Sequence, residues 1–70
     1  MDPQAAVYQA RMALESGQSA DFWEYWEGYV GWKRDGGFTT PKMDSDMLLM
    51  AHAMLTGRWR VIRRNPSRTR

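Results

Sequence analysis

The sequence predicts an all-α fold, a small three-helix domain made of a helical hairpin plus a third helix, followed by a basic C-terminal segment. Three observations predict it. Apolar residues recur at helical spacing in three stretches, glycine or proline separates those stretches, and strand-like alternation is confined to residues 58–61. The helices are expected near residues 3–16, 19–35 and 44–56, within a domain spanning 1–57.

Asp2-Pro3 reads as an N-cap followed by proline at the first helical position, where its missing N–H costs nothing. With successive residues 100° apart, Val7, Ala10 and Leu14 share one stripe, with Ala6 and Ala13 beside it. Such small residues let a second helix approach closely. Tyr8 and Met12 fall on the other side, where they can meet a second element, and Gly17 closes the helix.

Ser19 is the expected cap of the second helix, with Asp21 in its first turn. Trp32, Tyr25, Tyr29, Phe22, Trp26, Val30 and Trp23 follow one another around one half of the helical wheel, with Glu24, Glu27, Gly28, Gly31, Arg34 and Asp35 on the other. This arc covers about 180°, wider than the ~100° stripe a surface helix needs. Gly28 and Gly31 mark either a close backbone approach or fraying. Gly36-Gly37 ends the helix, Phe38 is placed to fold back onto it, and Pro41 is expected to delay the next one.

Asp44 or Ser45 is expected to cap the third helix and Gly57 to end it. Met43, Met47, Met50 and Met54 form a stripe that Ala51, Leu48 and Leu55 extend, while Leu49 sits with His52 and Thr56 on the opposite side. A helix apolar on nearly every side is central or shared between subunits.

Composition excludes several classes. The 70 residues contain no cysteine, which rules out disulfides and thiolate zinc sites, and His52 is the lone histidine, so no metal or cofactor is expected. The start of the chain has no basic region followed by an apolar one, and the longest nearly apolar run, 47–55, is far short of the ~20 residues of a membrane span. A soluble cytoplasmic protein is expected. Glu24 and Glu27 share a polar face without a histidine, Asp44 and Asp46 lack the later ligands of a calcium loop, and no catalytic motif occurs. The chain therefore reads as non-enzymatic.

Two surfaces are candidates for binding. Six of the nine aromatics lie in residues 22–32. Most should be core, but one helix of a small domain rarely buries half its circumference. Tyr25 and Trp32, at one edge of the arc, are the candidate protein-binding residues there, joined by Leu49 and His52 on the far side of the third helix. Sharing the Leu49 side in a homodimer is the simplest way to cover it.

The second surface is electrostatic. Residues 1–57 carry a net charge of −4, and residues 58–70 carry +6 with no acid. Its cations, Arg58, Arg60, Arg63, Arg64, Arg68 and Arg70, are all arginine, which suits bidentate contacts to phosphate or carboxylate, and Trp59 is placed to stack on a base. Acidic protein surfaces attract the same segment, and a merely solvated segment has the same composition. A membrane-surface role fits less well, because the cations follow the helix instead of lining its polar face. The third helix offers almost nothing to read base edges, which argues against a helix-turn-helix.

The leading expectation is a small non-enzymatic protein-binding module, an adaptor or inhibitor. The alternative is a nucleic-acid-binding protein acting through the arginines. The compact helix–Gly-Gly-Phe–helix layout fits accessory proteins of phages or other mobile elements, although no motif carries that expectation.

Overall fold

The computed structural model describes residues 2–58, and over these the chain forms three helices and no strand: α1 (Pro3–Glu15), α2 (Ser19–Arg34) and α3 (Pro41–Thr56). The all-α expectation holds, and the first two helices match their expected spans to within a residue.

In α1 the Asp2 carboxylate accepts from the Gln4 N–H at 3.0 Å, with Pro3 opening the helix. Ala6, Val7, Ala10, Ala13 and Leu14 are all buried. Because so much of this stripe is alanine, α1 and α2 make the most extensive helix pairing of the fold. Tyr8 and Met12 are both largely exposed, although Tyr8 borders a hollow at the start of α3 together with Thr40 and Met43.

Each helix closes with the same hydrogen-bonded turn. Gln18 N–H donates to Ala13 O, Gly37 N–H to Trp32 O and Arg58 N–H to Ala53 O, at 2.8, 2.8 and 2.9 Å. The glycine just before each donor, at 17, 36 and 57, takes a positive φ, a conformation that costs a side chain dearly. Gly37 has a different task. The Trp32 indole lies over it, so that a Cβ at this position would overlap the ring. By contrast, a Cβ at Gly31 would meet only the Arg34 side chain at 3.6 Å, so no backbone approaches there.

Two capping expectations are corrected. Ser19 is the first residue of α2 and not its cap; Gln18 occupies the cap position and makes no side-chain capping bond. The Gln18 side chain instead turns its amide oxygen to the Ser16 hydroxyl, 3.4 Å away. Likewise α3 begins at Pro41, three residues earlier than expected, and neither Asp44 nor Ser45 caps it. Thr40 does, its hydroxyl accepting from Met43 N–H at 3.2 Å. Proline here starts the helix instead of delaying it, because the first helical position needs no donor.

The core gathers the α1 stripe, Phe22 and Tyr29 of α2, and Met47, Met50 and Ala51 of α3. Phe22, Leu14 and Met47 are its largest fully buried side chains, each contributing roughly 1.5–3 kcal/mol by leaving water. Met43 and Met54 pack against this cluster, so the methionine stripe is core along its whole length.

Candidate functional site

The feature that sets the surface is a polar latch between α2 and the first turn of α3. The Tyr29 hydroxyl donates to Asp44 Oδ1 at 2.5 Å, and Lys33 Nζ donates to Asp44 Oδ2 at 2.9 Å and to Thr39 Oγ1 at 3.1 Å. The Thr39 hydroxyl in turn donates to Asp44 Oδ1 at 3.0 Å. Burial, reinforced by the Asp44 carboxylate, pushes the Tyr29 phenol up to about 12. The donors from Tyr29 and then Lys33 hold Asp44 below the ordinary carboxylate range. Asp44 thus has an integrating role that sequence spacing assigned to helix capping. A second carboxylate, Asp46, sits 3.2 Å from Lys42 and 3.9 Å from Arg11, a weak exposed bridge from α3 to α1.

The latch holds one end of α2 against α3, yet these two helices have the sparsest contact of the three pairs. Between them runs an open cleft of about 990 Å³ whose floor and walls include Trp23, Trp26, Leu48, Ala51 and Leu55. A second hollow of about 600 Å³ continues it toward Val30 and Arg34, sharing Trp26, Asp44 and Leu48. Leu48 and Leu55 are 60% and 76% exposed, which is unusual for leucine on a helix that also carries much of the core. Phe22, Trp23 and Trp26 pack as an aromatic cluster, with the Phe22 and Trp23 ring centres 4.9 Å apart edge to face. The cluster anchors the two tryptophans while leaving them partly open to the cleft.

The residues expected to bind protein are divided by this arrangement. Leu49, 66% exposed, and His52, also exposed, both border the cleft. Tyr25 and Trp32 do not. Tyr25 packs against the core cluster, and Trp32 donates its indole N–H to the Phe38 carbonyl at 2.9 Å, holding the turn that links α2 to α3. Phe38 does not fold back onto α2; its side chain is 76% exposed and only its carbonyl is engaged. Trp23 and Trp26 pack on the same core cluster as Tyr25 and are half-buried like it, but they, with Val30, also line the two hollows. Sequence reasoning missed Leu48 and Leu55 as surface because they lie next to the methionine stripe on the wheel.

Of the basic segment, Arg58 is exposed just beyond Gly57. Trp59, Arg60, Arg63, Arg64, Arg68 and Arg70 lie outside the described residues. Among the described residues no cluster of three or more histidine, aspartate or glutamate side chains is arranged to hold a metal ion, and no helix is long and apolar enough to cross a membrane. The polar groups at the cleft, Asp44, Ser45 and His52, include no second carboxylate or nucleophile–base pair, and Asp44 is already engaged by three donors. The cleft is lined mainly by apolar side chains, Trp23, Trp26, Leu48, Leu49 and Leu55 among them. Comparison with known proteins finds no matching family model, no similar curated protein and no similar solved structure.

Proposed function

We propose that this chain is a small non-enzymatic protein-binding module, an adaptor or inhibitor, that works by burying the α2–α3 face against another polypeptide. The observation that carries the reading is the exposure of Leu48 and Leu55 beside the half-open Trp23 and Trp26. Contiguous apolar surface of this kind, rimmed by polar groups, marks interaction sites, and tryptophan is the residue type most enriched among dominant contacts. Polar substitution of two exposed leucines should leave the fold intact. A Leu48→Ser, Leu55→Ser double variant is expected to keep its helical circular dichroism and lose, by tenfold or more, protein capture from a nuclease-treated lysate. Undiminished capture would remove this face as the docking surface.

The charge distribution favours a second reading, nucleic-acid binding by the segment 58–70. If its six arginines all neutralise phosphates, duplex binding should fall with salt at a log–log slope of about −5. Deleting residues 63–70 should flatten that slope by about 3–4, and Trp59→Ala should cost about 1–3 kcal/mol on single strands. Absence of DNA and RNA binding at low salt would eliminate this reading.

A further inference from the structure

We infer that the groove between α1 and α3 binds the phosphate backbone of nucleic acid, with Lys42, Arg11 and Arg58 as its cations. The inference rests on the nucleic-acid reading above, and it gives the folded body a share in binding that the charge distribution assigns to residues 58–70 alone.

Two hollows, each of about 370 Å³, lie between α1 and α3 and share Arg11 and Asp46. Together they make one groove, formed without any residue of α2 and separate from the α2–α3 face. Lys42 stands where α3 begins, Arg11 in the middle, and Arg58 where α3 has closed. Three cations from three separate places in the sequence thus line one polar track, and all three are exposed. Gln4 and Thr40 add an amide and a hydroxyl at the Lys42 end.

Asp46 is the one carboxylate that lines this groove, so the cations exceed it by two charges. It positions them without exhausting them. Its Oδ2 lies 3.2 Å from Lys42 Nζ and 3.9 Å from the Arg11 guanidinium, the second too long for a hydrogen bond. Lys42 and Arg11 are thereby drawn side by side, with most of their donors open to an anion.

The acidic groups of the body lie elsewhere. Of the seven other carboxylates, four sit on α2 and its C-cap, Asp44 is held in the latch, and Asp2 and Glu15 mark the two ends of α1; none lines the groove. A polyanion therefore meets least repulsion on the α1–α3 side. The groove also ends at Arg58, the residue from which the other five arginines follow in sequence.

Binding of the full chain to a short DNA duplex, followed by fluorescence anisotropy across a salt series, tests this. With Lys42 and Arg11 joining the six arginines, the log–log slope should approach about −7 instead of about −5, from roughly 0.9 per neutralised phosphate. Replacing both by Arg11→Gln and Lys42→Gln should flatten the slope by about 2 and weaken low-salt binding by about tenfold. Arg34→Gln, on α2, should leave the slope unchanged. Asp46→Asn should tighten binding severalfold, whereas Glu24→Gln, the same charge change on α2, should not, which separates a local site from overall charge. Should the double variant lose its helical circular dichroism, the Asp46→Asn and Glu24→Gln pair decides. A slope near −5 that the double variant does not alter would overturn the groove and leave nucleic-acid binding to residues 58–70. No binding of DNA or RNA at low salt would end both, even if the same cations retained an acidic protein.

Discussion

Phe22→Ala is expected to leave the chain largely unfolded in water at room temperature. Phe22 is fully buried, belongs to the core shared by all three helices, and packs its ring against both Trp23 and Trp26. Truncating a buried phenylalanine costs about 3–5 kcal/mol through lost transfer energy and the cavity left behind. A core in a domain of this size rarely supplies more than about 3–5 kcal/mol of net stability, so the loss matches the whole. Loss of far-UV circular dichroism, or a urea midpoint too low to measure, is the expected result. Phe38→Ala, at an exposed position of the α2–α3 turn, should change stability by no more than about 0.5 kcal/mol. A native urea midpoint for Phe22→Ala would mean that the aromatic cluster is not what joins the helices.

The second large effect is alkaline. The Tyr29 phenol has an ordinary value near 10.0, raised to about 12 by burial and by the Asp44 carboxylate. Below pH 10 the phenol is neutral in both folded and unfolded chains. As pH rises from 10 toward 12 the unfolded chain loses this proton while the folded chain keeps it, so stability falls across that window. Integrated between pH 10 and 12, the displacement amounts to at most about 2 kcal/mol. Urea melts at successive pH values should show wild-type protein losing about that much more than Tyr29→Phe between pH 10 and 12. Parallel pH curves for the two proteins would show that Tyr29 is not held neutral by this site. Asp44 acts at the other extreme with the opposite sign. Its lowered value means that its contribution is present above the ordinary carboxylate range and is lost as pH falls through the acid range.

Much of the fold was legible from the chain itself, because helix periodicity is a local property. The aromatic arc of α2 is centred near Phe22, and Phe22 and its neighbour on the wheel, Tyr29, are its two buried residues. The α1 stripe of Ala6, Val7, Ala10, Ala13 and Leu14 was readable for the same reason, as were the stop signals at Gly17, Gly36 and Gly57. Asp2-Pro3 begins α1 as its residues indicate.

The candidate site was only half legible. Leu49 and His52 were readable as surface because they lie opposite the methionine stripe. Tyr25 and Trp32, the residues singled out on α2, lie against the core cluster and the α2–α3 turn and outside the cleft. A wheel ranks residues around one helix; it carries no direction toward the neighbours. Which part of a wide arc borders the cleft depends on where α3 crosses, and that is set by Asp44 meeting Tyr29 and Lys33, contacts 15 and 11 residues apart in sequence.

The sequence by itself determined the helical class, the registers of α1 and α2, and the separation of an acidic body from a basic segment. Each of these follows from residue types at short spacing. Tertiary structure alone decided that Pro41 opens α3, that Tyr8 and Met12 face water, and that Leu48 and Leu55 share an open face with Trp23 and Trp26. These depend on how three short helices divide one small core, and a domain this small cannot cover every apolar face that its sequence provides.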